Sequence, residues 1–402
     1  MNHRSSSNIY NVRGKFIYIV VIATVEIALL LLIIHAYSDT EDGGSFYANM
    51  PVESSPPIEV QSTPEKPQQK AKEPSFDPDI IKSPTYYTVQ DGMLSHHVTE
   101  TSSFVYGPAA DFMSEGQKYY SRNGHTFFNS DGKEVGTAYQ YFEILPLNTD
   151  TSYTANQLNQ FIKDNIPEGY RNQMGGPGPL ATLGEAFISA QNQFGVNALY
   201  LLAHAIHESA WGSSAIAQTK HNLYGFGAID SDPYNGAKKF NTFQDGIDYV
   251  SQFVANQYQD PKGAYYNGSM LGNKEMGMNV KYASDPFWGQ EIAGYMYRID
   301  QALGGKDFGR FNSEPYRLAV STVSAPLNVR TQPSTSTSND IAYHLPSSGT
   351  AMIVMDQIDN DDGTWFKIFS DESNFLSQET AYIYHKGPHG SLSETVTIAG
   401  GQ

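Results

Sequence analysis

The 402-residue chain contains no cysteine. That excludes a disulfide framework, even in an oxidising compartment. Positive charge is scarce as well: 25 Lys and Arg against 42 Asp and Glu leave a formal net charge of -17. Polyanion binding needs clustered cations that release counterions from phosphates, so DNA and RNA are excluded as partners. Charged residues of both signs make up only 17% of the chain, while 27 Tyr and 21 Phe raise the aromatic share to 13%. Such a chain can build a core and retain aromatic surface beyond it. Tandem repeats are absent, and the length allows two or three domains.

Long apolar runs are limited to one, residues 16–34, which matches the thickness of a bilayer core. Arg4, Arg13 and Lys15 precede it, and Asp39, Glu41 and Asp42 follow. This bias predicts a cytoplasmic tail at 1–15, a transmembrane signal-anchor helix at 16–37, and an extracellular remainder. The competing reading is a cleaved signal peptide with a weak site at Ala36-Tyr37-Ser38, but the run is longer than a typical signal core. Glu26 sits in the middle of the run, where a carboxylate is costly. It is either protonated in place or in contact with a partner membrane protein.

Large apolar residues almost vanish between positions 50 and 82, where Ser54-Ser55-Pro56-Pro57 and Pro64-Glu65-Lys66-Pro67 stand. The stretch cannot bury enough surface to fold, which predicts a disordered linker over 38–85. Its thirty-odd residues reach roughly 100 Å when fully extended. From 86 to 170, aromatic and β-branched residues mix with turn signals such as Arg122-Asn123-Gly124, predicting an extension of short strands. Over 171–310 the period changes. Leu183, Ala186, Phe187, Ala190 and Phe194, then Leu199, Leu202, Ala203 and Ile206, predict two helices broken at Gly195, with Asn197 capping the second. Further helices are expected from Phe243, with Thr242 as its cap and Asp245 three residues on, and from Trp288 to Leu303, stopped by Gly304-Gly305. Between the early and late pairs of helices, over 223–240, Gly225, Gly227, Asp232-Pro233 and Asn235-Gly236 read as a small β-hairpin lobe. Residues 311–390 return to short apolar stretches and predict a small all-β barrel, followed by a tail over 391–402.

The sharpest motif is His204-Ala205-Ile206-His207-Glu208-Ser209-Ala210-Trp211-Gly212. It sets a carboxylate at the end of an otherwise apolar helix. Burial beside Ile206, Ala210 and an indole is expected to raise the pKa of Glu208 and so keep the proton that a general acid must hold. A metal site is not expected, because zinc-protease helices place Glu directly after the first His and the second His four residues from it, and the spacing here differs. His204 reads as a hydrogen-bonded structural imidazole.

Residues 184–304 resemble the β-N-acetylglucosaminidase domain of peptidoglycan hydrolases, glycoside hydrolase family 73. The resemblance is carried by Leu201-Leu202-Ala203-His204-Ala205-Ile206-His207-Glu208-Ser209-Ala210-Trp211-Gly212, by Asn222-Leu223-Tyr224-Gly225-Phe226-Gly227-Ala228-Ile229-Asp230, and by Tyr282-Ala283-Ser284-Asp285-Pro286-Phe287-Trp288. It implies an α+β lysozyme-like catalytic domain, mainly helical with a small β-hairpin lobe. The implied reaction is hydrolysis of the β-1,4 bond after N-acetylglucosamine in peptidoglycan glycan strands, without a cofactor. Glu208 falls on the family's catalytic acid and Tyr282 on an aromatic that lines its cleft. A second carboxylate is Asp230 or Asp232, with Asp230 nearer the family's acidic position, unless the substrate's own acetamido group serves as nucleophile. Retention or inversion stays open. Trp211, Asn222, Tyr224 and Trp288 are the candidate substrate contacts: Trp211 as cleft wall or core, Asn222 bonding a sugar or the local backbone, Trp288 placed by family position. Asp285 reads as a helix-start or turn residue.

The C-terminal stretch resembles a bacterial SH3-like domain through Leu327-Asn328-Val329-Arg330 and Gly363-Thr364-Trp365-Phe366-Lys367-Ile368. Such domains often bind wall peptides, and Trp365 reads as core. The implied whole is a membrane-anchored autolysin. Its rivals are a muramidase or lytic transglycosylase on the same fold, and an inert wall-binding tether.

Overall fold

Alternating apolar residues and left-handed turn positions build the first folded layer where strands are expected. The computed structural model describes residues 75–228, 232–336, 340–377 and 379–401, all within one compact unit, Pro64–Gln402. The expected anchor helix, Glu26 and most of the linker lie outside the described residues, as does Asp230. Among the described residues, no helix is long and apolar enough to cross a membrane. Strands β1 (Tyr86–Gln90) and β2 (Met93–His97) meet over Asp91 and Gly92. Both turn residues have positive φ, 53° and 73°, which matches the twist of a two-residue hairpin. Strands β3 (Ser103–Pro108) and β4 (Lys118–Tyr119) complete a sheet of order β3-β2-β1-β4, while β5 (Thr126–Phe128) and β6 (Glu134–Thr137) pair separately. The linker expectation overran here. Residues 75–85 belong to this layer: Ile80 is buried, the Asp77 carboxylate accepts from the Asp79 and Ile80 N–H groups, and Glu134 accepts from the Ser75 N–H.

Helices follow: α1 (Ala155–Asn165), α2 (Gly184–Phe194), α3 (Ala198–Ser209), α4 (Phe243–Val254) and α5 (Trp288–Ala302). The helical part begins before the expected boundary at 171, because Thr154 and Gln157 form a capping box that starts α1. The expected caps are present. Gly195 ends α2 at φ 73°, Asn197 accepts from the Leu199 and Tyr200 N–H groups to start α3, and Thr242 with Asp245 boxes the start of α4. Helix α3 is apolar on all sides, with every residue from Ala198 to Ile206 buried, which places it at the centre of the helical cluster.

The β-hairpin expected over 223–240 is a correction. The described residues there hold turns and a one-turn helix, Pro233–Gly236, and no strand. Asp232 caps that helix, accepting from the Asn235 backbone N–H at 3.2 Å and from its side-chain amide at 2.7 Å. Asp-Pro at a helix start pre-sets the first turn, so the pattern that reads as a hairpin turn closes locally instead.

The C-terminal part is an eight-stranded antiparallel sheet of β7 (Arg317–Ser321), β8 (Leu327–Arg330), β9 (Ile341–Leu345), β10 (Ala351–Asn360), β11 (Gly363–Phe369), β12 (Thr380–Gly387), β13 (Gly390–Ser391) and β14 (Ser393–Thr395). The order is β14-β7-β10-β11-β12-β8-β9, with β13 on β12. Trp365 is fully buried, as expected. Residues 391–401 are not a free tail. Strand β14 pairs with β7, and Ile398 bridges to Tyr139.

Both β layers grip the helical part. A Cβ at Gly294 would overlap the Val105 carbonyl, so α5 lies directly on β3. The fully buried His96 and Tyr87 both bond the Gln290 side-chain oxygen, at 2.8 and 3.1 Å, and His96 meets the Phe287 ring edge-to-face at 4.5 Å. From the other side, the buried Asp371 accepts from Tyr266 and Ser269, each at 2.8 Å. The start of α5 is thereby fixed from outside the helical part.

Candidate active site

The site is built on the abrupt end of α3. After Ser209 the chain takes three left-handed residues in succession, Ala210 (φ 49°), Trp211 (φ 60°) and Gly212 (φ 81°). The first two cost strain that a glycine would not. Ser209 holds the turn: its hydroxyl donates to the Ala205 carbonyl and accepts from the Gly212 N–H at 2.7 Å. Trp211 N–H closes on the Ile206 carbonyl at 3.0 Å. This turn leaves Glu208, one residue before it, at the mouth of the helix.

The Glu208 side chain is 27% exposed. Trp288, at the first position of α5, donates its indole N–H to Glu208 Oε1 at 2.9 Å. The wholly buried His204, one turn back on α3, brings Nε2 to 3.6 Å from the same oxygen. On the other side, a Cβ at Gly225 would stand 4.0 Å from Oε2, so the 222–228 loop passes the open face of the carboxyl. The expectation that burial dominates its titration is corrected here. Burial is the largest influence and pushes the pKa up, but the His204 ring, the His207 ring and the Trp288 N–H together pull it below the usual glutamate value. The resting carboxyl is held towards its ionised form. Burial keeps His204 itself low, favouring the neutral ring.

The other expected residues divide clearly. Tyr282 lies beside Glu208, stacked on Trp288 at 4.5 Å between ring centres and edge-on to His204 at 5.2 Å; it is half-buried. Trp288 is only 2% exposed, so it holds the acid instead of presenting a face to a sugar. Trp211 is buried against Phe161 and Tyr295. Tyr224 is buried as well, its hydroxyl donating to the Leu201 carbonyl at 3.3 Å. Asn222 serves the backbone: its amide donates to the Phe226 and Lys238 carbonyls at 3.0 and 2.9 Å, and its oxygen accepts from the Tyr224 and Phe226 N–H groups. It shapes the loop that faces Glu208. Asp285 bonds the Phe287 N–H at 2.8 Å, the expected helix-start role.

One neighbour escapes sequence reading, Glu291, which pairs with His207 of the motif. His207 Nδ1 stands 3.3 Å from Glu291 Oε2 beside the carboxyl. Burial pushes Glu291 up to about 7, with His207 opposing. Glu291 lies three residues after Trp288 on α5, so helical spacing from that tryptophan is the one signal that marks it. Among the described residues no group of three or more His, Asp or Glu side chains is arranged to hold a metal ion.

Glu208 is thus a partly open carboxyl at the end of a core helix, clamped by an indole and a buried imidazole. Residues 184–301 match the family model described as mannosyl-glycoprotein endo-beta-N-acetylglucosaminidase. Glu208, Tyr282 and Trp288 all lie inside the matched segment. A Streptococcus pneumoniae protein assigned as an endo-beta-N-acetylglucosaminidase is 37% identical over 223 residues, covering 55% of this chain and 31% of that one. The beta-N-acetylglucosaminidase of Bacillus subtilis is 30% identical over 180 residues, covering 41% and 19%. The chain thus spans less than a third of the length of either relative. A catalytic mutant of Staphylococcus aureus autolysin E, solved in complex with the disaccharide NAG-NAM, is 21% identical and covers 43% of this chain and 83% of that one, with a TM-score of 0.31.

Proposed function

We propose that the chain is a peptidoglycan hydrolase that cuts the β-1,4 bond following N-acetylglucosamine, with Glu208 as the proton donor. The observation that carries this reading is the Glu208 carboxyl, oriented by Trp288 and open on one side, inside the glucosaminidase match. Its resting pKa is low for a donor, but the balance is set by desolvation against three stabilising neighbours. A sugar seated on the open edge expels the remaining water and adds to the largest of these influences, driving the carboxyl towards the protonated form. The donor is then in place next to the glycosidic oxygen. The second group is Asp230, which the family resemblance favours, or the acetamido group of the substrate. Asp232 is engaged in capping its own helix.

The test is mass spectrometry of fragments released from purified wall. New reducing ends on N-acetylglucosamine are expected. Ends on N-acetylmuramic acid instead point to a muramidase, anhydro ends to a lytic transglycosylase, and no release at all to an inert tether.

The apolar run at 16–34 and the acidic flank behind it support a single-pass anchor, with the catalytic part outside and the C-terminal sheet acting as an SH3-like wall-peptide binder. Native protein should then fractionate with membranes and keep its original N-terminus. Mature protein beginning near Asp39 and free in the medium would replace the anchor with a cleaved signal.

A further inference from the structure

Helix α5 continues past the acid with a second set of outward residues. Glu291, Tyr295 and Arg298 stand four and three residues apart, which places them on one face. Half-buried, they rise from the catalytic carboxyl along the helix. At 1.5 Å per residue the strip from Trp288 to Arg298 is about 15 Å long. Tyr295 is its floor: its ring meets Trp211 edge-on at 6.2 Å and His207 at 6.3 Å, and carries the Arg298 guanidinium at 4.3 Å. The strip is therefore continuous, through His207, with Glu208.

Arg122 and Arg310 are each in ion pairs, with Asp77 at 2.7 Å and Asp150 at 2.9 Å. Arg298 forms no close ion pair with a carboxylate among the described residues; half-buried, it rests on the Tyr295 ring and feels Glu291 of the same strip at longer range. A guanidinium in that setting offers a planar fork of donors matched to a carboxylate.

We infer that the Tyr295–Arg298 end of this strip is a subsite for the peptide stem of the glycan, with Arg298 receiving a stem carboxylate. The inference rests on the hydrolase reading above. Peptidoglycan strands carry, on the lactyl group of every second sugar, a short peptide with free carboxylates. Four extended residues of that stem reach roughly 14 Å, enough, with the lactyl link, to travel from the sugars at Glu208 to the guanidinium. The strip would make the enzyme prefer strands that still bear their stems.

The experiment uses full-length protein and two substrates, glycan strands with stems intact and strands stripped of them, with cleavage by the wild type and binding by the Glu208→Gln form read in parallel. Adding Arg298→Ala should weaken binding to stem-bearing strands roughly 10- to 100-fold, the span expected for one charge-assisted contact. Binding to stripped strands should not change, and Arg298→Lys should recover part of the loss. Strands whose stem carboxylates have been amidated should behave as stripped ones. An equal loss on both substrates, or no loss on either, overturns the subsite and leaves Arg298 as packing on Tyr295. Failure of wild-type cleavage on both strand types counts against the hydrolase reading alone, because the binding arm still reports on Arg298.

Discussion

Glu208→Gln leaves a folded protein whose wall-degrading activity is reduced by roughly 10²–10⁴-fold, the range general acid catalysis contributes. The substituted amide keeps the shape of the carboxyl and an oxygen to accept the Trp288 N–H, now 2.9 Å away. It has no acidic proton to give. The folded state favours the ionised carboxyl on balance, so its loss should cost only a modest drop in melting temperature and leave the fold intact. Release of reducing sugar from purified wall, read beside a thermal melt, checks both halves. Retention of a third or more of the turnover by a folded variant would place the proton donor elsewhere. Trp288→Phe is the companion: it keeps most of the ring stacked on Tyr282 and loses the N–H. That N–H favours the ionised carboxyl, so its loss should raise the Glu208 pKa. Activity that needs the protonated acid falls as pH rises through that pKa, and this basic limb of the kcat/KM profile should shift upward in the variant.

Stability should fall by several kcal/mol between about pH 5 and pH 8, and Glu143 should account for the largest part of the fall. Glu143 is wholly buried between the first sheet and the helices, takes a hydrogen bond from Tyr106, and has its other oxygen, Oε1, without a partner. Burial pushes its carboxyl up to about 8 from an ordinary 4.5. The folded state therefore binds the proton more tightly than the unfolded chain does. A raised folded pKa gives stability that is complete below about 4.5 and is lost as pH rises through about 8. Glu143→Gln cannot ionise, so its melting temperature should fall less over the same interval. Asp371, raised to about 6, and Glu291, at about 7, leave a smaller slope of the same sign. Parallel wild-type and variant curves would show that Glu143 does not titrate in this window.

The elements legible in the sequence are those whose causes lie within a few residues. Asn197 capping α3, Gly195 ending α2 and the Thr242–Asp245 box depend on bonds spanning two to four positions, and a pattern can carry these. The 223–240 lobe was misread for the same kind of reason: Asp232-Pro233 and Asn235-Gly236 suit a hairpin turn and a capped helical turn equally. Propensity does not separate the two, because the choice depends on what surrounds the loop. The span of 391–401 was missed because a strand three residues long has too little alternation to register.

By itself, the sequence determined that Glu208 ends a buried helix, that Asn222 and Tyr282 belong to its neighbourhood, that helices form the middle of the chain, and that strands lie on either side. The helices, the strands and the place of Glu208 follow from local period and caps, and the neighbourhood of Asn222 and Tyr282 from the family resemblance. The tertiary structure decided the state of the acid and the part each neighbour plays. Trp288 is 80 positions from Glu208 and turns out to be its hydrogen-bond donor, and His96 is 194 positions from the Gln290 it grips at the start of α5. A pKa is a sum of burial against such contacts, with opposing contributions of similar size. Its sign is settled only when the side chains that fold in from distant parts of the chain have taken their places.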